Sequence, residues 1–208
     1  MPTATITDLI AAERQALATL LSGLPPQQWD APTLCAGWRV REVVAHITMP
    51  FRYSPDQYLR ELAEWQGDFD RMSDHCARRD AAVPVAELVA AVADNVHHPW
   101  QPPGGGYEAA LTHDVIHGLD ITVPLGTGRR VPEPHLIAVL DTLTARGGGA
   151  VFGTDLAGVE LRADDLDWSL GSGEPVSGLA QHLLLAMAGR KLPAGLLRGN
   201  QAGRFSAP

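Results

Sequence analysis

The chain has 208 residues, of which 45% are hydrophobic and 19% charged, so it is long enough for one large domain or two smaller ones and too apolar for a disordered chain. Its net charge of −8, with no basic cluster longer than a pair such as Arg129-Arg130, argues against a surface that tracks nucleic-acid phosphates. No apolar run is long enough to span a bilayer, and the first residues lack a basic segment followed by an apolar one, so a cytoplasmic protein is expected.

In chain order, a first helix is expected from Asp8 to Leu24. Ile10, Leu17, Leu20, Leu21 and Leu24 recur at helical spacing, with Thr7 as N-cap and Pro25-Pro26 as the stop. A second begins near Trp38, with Val40, Val43, Val44 and Ile47 as its apolar stripe and His46 beside that stripe. Pro50 and Pro55 should kink or break the chain, and helix is expected to resume over 57–69. A third runs from Val85 to His97. The Pro- and Gly-filled stretch 97–106 is a loop long enough to border a site. A fourth spans Tyr107 to Ile121. A fifth spans Pro134 to Arg146, opened by its proline and closed by Gly147.

Beyond Gly147-Gly148-Gly149 the period changes. Val159–Ala163 and Asp167–Leu170 read as a hairpin around Asp164-Asp165. A last helix is expected from Ser177, its N-cap, to Arg190, and the Gly-rich tail after Pro193 should fray. The fold class is therefore mainly α: a four- or five-helix bundle over 1–146, then a small α/β (ββα) module over 150–208, too small to hold a strong core alone.

Chemistry concentrates in Leu111-Thr112-His113-Asp114-Val115-Ile116-His117-Gly118-Leu119-Asp120. His113 and His117 stand four apart and share a helix face, a spacing that lets two imidazoles bind one metal ion. His46, flanking an inward stripe on another helix, is the third ligand chosen. Three protein ligands leave a coordination position for water or substrate, as in catalytic rather than structural zinc sites. Asp120 is placed to orient a ligand histidine. The competing reading of each histidine is a hydrogen-bonded core or surface residue, and His75, His97, His98, His135 and His182 are assigned to that class. Cys35 and Cys76 are expected to be free thiols, first as small buried apolar residues and second as reactive ones.

The segment Cys35-Ala36-Gly37-Trp38-Arg39-Val40-Arg41-Glu42-Val43-Val44-Ala45-His46 resembles the C-x-G-W-x-V-x-D-V-x-A-H stretch of the mycothiol-dependent maleylpyruvate isomerase family. His117-Gly118-Leu119-Asp120-Ile121 with Pro124-Leu125-Gly126, then Trp168 to Gly173, Gly178 to Ala180 and Leu183 to Arg190, resemble further segments of it. The resemblance implies a DinB-like four-helix bundle with a small C-terminal α/β module. It implies a divalent metal, with Zn²⁺ the expected ion, on His46, His113 and His117, although His113 stands where those isomerases carry a carboxylate. It also implies mycothiol as cosubstrate, and an isomerase or S-transferase acting on a small electrophilic substrate, as a monomer or homodimer. Arg190 is the weak candidate for binding a substrate carboxylate. Two alternatives stay open: a metal-dependent hydrolase with Asp114 as base, and a non-catalytic metal- or ligand-binding protein.

Overall fold

The computed structural model describes residues 4–207. Eight α-helices dominate it: α1 (Ile6–Ser22), α2 (Val40–Arg52), α3 (Pro55–Glu64), α4 (Phe69–Asp80), α5 (Val85–Ala93), α6 (Gly106–Thr122), α7 (Glu133–Ala145) and α8 (Ala180–Met187). Four short strands follow α7: β1 (Val159–Ala163), β2 (Ser169–Gly171), β3 (Glu174–Gly178) and β4 (Leu197–Arg198). The fold is mainly α with a small C-terminal sheet, and no helix among the described residues is long and apolar enough to cross a membrane. The described residues fall into two compact units, one up to His117 and one from Gly118 onward, the division lying within α6.

In the first unit, α1 packs against α5, and α2 against both α4 and α5. The helix starts at Thr5 rather than Thr7. Thr5 Oγ1 accepts from the Asp8 amide while the Asp8 carboxylate takes the Thr5 amide at 2.9 Å, a reciprocal cap that Thr7 has no acidic partner to build. The inward stripe of α1 is Ile10, Leu17 and Leu21. That of α2 is Val40, Val43, Val44 and Ile47, all at most 4% exposed. Glu42 reaches back to the Arg39 amide at 2.7 Å and starts α2 there. Burial pushes the Glu42 carboxyl up, but the Arg39 hydrogen bonds outweigh it and hold it below the usual range.

Between α2 and α5 the expected single stretch 57–69 is two helices. Ser54 caps α3, whose second residue in the cap is Pro55 at the favoured first position, so this proline opens a helix instead of breaking one. Pro50 likewise sits inside α2, within its last turn, where the helix forgoes the one i→i−4 bond its missing N–H would donate and runs on for only two more residues. Asp68 caps α4, a helix hidden in the sequence by its charge: only Met72, Ser73, Cys76, Ala77 and Asp80 are buried.

In the second unit the sheet order is β2-β1-β3-β4. The β1–β2 hairpin is antiparallel with Leu161 opposite Leu170, as expected. The module is larger than ββα. Ser177 lies in β3, which runs parallel to β1, and not at a helix N-cap; α8 starts after Leu179. A single side-chain hydroxyl is a weak start signal when Val176 is needed in the sheet core and Gly178 must let Leu197 approach: a Cβ there would meet its side chain at 2.7 Å. The tail does not fray. It supplies β4 and a 3-10 turn over Ala202–Phe205, with Leu192, Leu197 and Phe205 buried. Every residue of α8 is buried, which accounts for its continuous apolar run, and it packs against β1, β3 and α7.

Candidate metal centre

The site in the first unit is assembled by α2, α4, α6 and two loops. His46 is the one polar ring in the buried run of α2 from Val40 to Met49, at 7% exposure. Its Nδ1 lies 2.9 Å from Ser73 Oγ on α4, so the far nitrogen of the ring is held. His113 of α6 is held in the same way: its Nδ1 lies 3.0 Å from the Asp114 carboxylate, which accepts that N–H. Both rings therefore turn Nε2 toward the same point, and the two Nε2 atoms stand 3.1 Å apart.

His117 completes the group. The three ring centroids lie 4.7 to 5.1 Å apart pairwise, and one ligand atom from each ring falls within 4.8 Å of the others. Two imidazole nitrogens on one Zn²⁺, each at about 2.0–2.1 Å, stand roughly 3.3 Å apart. The donor set, and the 3.1 Å separation of the first pair, suit a divalent ion. His46 is buried while His113 and His117 are partly exposed, so the cluster has one sealed side and one accessible side.

Behind His113 lies a buried charge pair. Arg14 Nε donates to Asp114 Oδ2 at 2.8 Å, with the two side chains 2% and 6% exposed. The same guanidinium donates through Nη1 to the His98 carbonyl at 2.7 Å and stacks over Phe51 at 5.0 Å. Arg14 thereby ties Asp114 to the loop after α5. That loop borders the centre, as its length suggests: Trp100 meets His113 edge-on at 5.1 Å. On the opposite wall Trp38 lies 5.2 Å from His46, its indole N–H donating to Asp74 at 2.7 Å. The turn that carries Cys35 and Trp38 passes through Gly37 at φ +77°, a conformation few other residues adopt without strain.

Cys35 is partly exposed, and its Sγ lies 3.7 Å from His117 Nδ1. It is therefore placed as a thiol beside the centre and not as the small buried apolar residue expected first. Cys76 does pack as one, with Met49 and Met72, and neither cysteine is in a disulfide. His135 and His182 are buried and His75 and His97 exposed, and none of the four is a member of the three-ring group.

Asp114 is engaged by Arg14 and His113, so it serves as an orienting group here, which weighs against its use as the base of a hydrolase. In the second unit, Asp120 is fully buried and Arg190 grips it in bidentate fashion, Nε to Oδ1 at 2.8 Å and Nη2 to Oδ2 at 2.9 Å. The third nitrogen of Arg190 donates to the Ala188 carbonyl. The guanidinium foreseen for a substrate carboxylate thus holds a carboxylate of its own chain. Ser73, Arg14, Trp38 and Trp100 are the site residues that periodicity did not single out. Ser73→Ala is expected to weaken metal binding about tenfold by releasing the His46 ring; titration against a chelating dye measures it, and unchanged affinity would refute the role.

Residues 10–98 match the family model described as the mycothiol maleylpyruvate isomerase N-terminal domain. No curated protein matches the chain. Among solved structures it is similar to the crystal structure of a mycothiol-dependent maleylpyruvate isomerase, at 18% identity and a TM-score of 0.44, covering 99% of this chain and 98% of that one. It is also similar to the crystal structure of a histidine-to-alanine mutant of a mycothiol-dependent maleylpyruvate isomerase, at 17% identity, a TM-score of 0.43 and the same coverage.

Proposed function

We propose, from the match of residues 10–98 to the mycothiol maleylpyruvate isomerase N-terminal domain, that the chain is a member of that family and a thiol-dependent metalloenzyme, an isomerase or S-transferase of a small electrophilic substrate. His46, His113 and His117 would hold a divalent ion, of which Zn²⁺ suits three imidazoles with an accessible side. When bound, such an ion supplies Lewis acidity that turns a low-molecular-weight thiol, mycothiol by family, into a thiolate nucleophile at neutral pH.

The protein's own residues do the rest. Ser73 and Asp114 fix two rings by their Nδ1 atoms, which commits the Nε2 lone pairs to one point. Arg14 keeps Asp114 as the acceptor in that arrangement. Trp38 and Trp100 wall the accessible side with apolar surface, which limits water around a reacting thiol and strengthens local electrostatics. The observation that carries the reading is the 3.1 Å approach of two Nε2 atoms whose rings are both held from behind.

Two measurements test it. Elemental analysis of protein purified without a histidine tag should give about one divalent ion per chain. Turnover of maleylpyruvate, or of a panel of α,β-unsaturated and halogenated electrophiles, should require mycothiol. Rates independent of added thiol across that panel would sink the enzymatic reading, and metal-free protein would sink the centre.

A further inference from the structure

The loop between α5 and α6 meets the three-histidine centre at Trp100, whose ring stands edge-on to His113 at 5.1 Å. What keeps Trp100 there is a side chain two positions earlier. His98 Nδ1 lies 3.2 Å from the Trp100 amide, which donates to it. His98 itself is no member of the three-histidine group.

His98 is anchored at three points. Its amide donates to the Asn95 carbonyl at 3.0 Å, its own carbonyl accepts from Arg14 Nη1 at 2.7 Å, and its ring packs on Phe51 with centroids 5.1 Å apart. It is thereby tied to α1, to α2 and to the turn that follows α5. Pro99 lies between His98 and Trp100. Its ring fixes φ and it has no N–H, so the Trp100 amide is the first backbone donor after His98. An acceptor on Cγ that takes the amide two residues on closes the same turn that Asn and Asp build from their side chains.

An acceptor at Nδ1 requires a neutral ring with its proton on Nε2. Burial holds the His98 imidazole below its usual range and Arg14 adds to the effect, so the neutral form prevails at neutral pH. The Trp100 amide therefore meets a lone pair. One such hydrogen bond biases a loop toward its closed form about three- to tenfold. With the loop closed, the indole edge of Trp100 stands beside His113, and a bulky molecule has to wait for the loop to open.

We propose, on the strength of the three-histidine reading, that His98 is a positioning residue whose Nδ1 latches Trp100 over the accessible side of the centre and so limits what reaches a bound metal ion. Two variants test it. His98→Leu removes the acceptor and keeps apolar contact for Phe51; His98→Asn restores an acceptor on Cγ. Hydrogen exchange of the Trp100 amide, read by ¹⁵N NMR, should quicken about three- to tenfold in His98→Leu and return to within about twofold of wild type in His98→Asn. In zinc-loaded protein the rate at which EDTA strips the metal should follow the same order, because a chelator of that size enters only the open loop. Equilibrium zinc affinity should stay nearly constant, since no ligand is touched. Exchange that is equal in all three proteins, an Asn that fails to restore it, or EDTA rates that ignore the variants would each overturn the latch. A chain that takes up no zinc would sink the centre instead, and amide exchange would still decide whether His98 holds Trp100.

Discussion

His113→Ala is expected to lower divalent-metal affinity by at least about 100-fold, because it removes a ligand outright, where loss of an orienting partner alone costs 10- to 100-fold. The argument rests on geometry. His46 and His113 converge through Nε2 at 3.1 Å, and the flanking Trp38 and Trp100 carry no ligand atom. Chelator competition on refolded, untagged protein reads the affinity. The comparison is Asp114→Asn, which keeps the ring at 113 but replaces its charged acceptor by an amide. It should fall between wild type and His113→Ala. Equal affinity for wild type and His113→Ala would remove His113 from the centre.

The second large effect is on stability. Arg14→Ala should destabilise the protein by about 3–5 kcal/mol, the cost of leaving one member of a buried ion pair uncompensated. Asp114 has a side-chain exposure of only 6%, so its charge gains little from water once Arg14 is gone. The loss also frees the His98 carbonyl and the support under the Phe51 ring. Replacing both members, Arg14→Met with Asp114→Leu, should recover most of the stability, since an apolar pair of similar volume is often neutral or better. It should not recover metal affinity, because His113 still lacks the acceptor behind its Nδ1. Urea denaturation with matched chelator titrations separates the two outcomes. If the double variant regains metal binding, Asp114 does not position the ring.

Much of this was legible in residue spacing. Apolar stripes located α1, α2, α5 and α7, and the i, i+4 histidines located one face of the centre, because helix period and core burial are the same fact seen twice. The residues that escaped did so for definite reasons. Ser73 sits on α4, where charged residues outnumber buried ones and no stripe stands out. Asp114 drew attention as a catalytic base, whereas its neighbour in space, 100 positions earlier in the chain, makes it a structural anion. One signal for that was available: Arg14 falls on the Ile10, Leu17, Leu21 stripe, and a cation on an inward stripe demands a buried partner. In the second unit β3 and β4 were missed because a five-residue strand containing Pro175 and Gly178, and a strand of two residues, owe their existence to pairing, not to propensity.

The Asp120–Arg190 pair also bears on how the polypeptide is made. Its members are 70 positions apart, and Asp120 has no exposure in the finished protein. At synthesis rates of about 5–20 residues per second, the ribosome takes roughly 4–14 s to go from one codon to the other. Until Arg190 emerges, that carboxylate lacks the two charge-assisted hydrogen bonds the guanidinium gives it, and burying it is more costly. The surroundings of Asp120 should therefore finish packing only after Arg190 has been added to the growing chain.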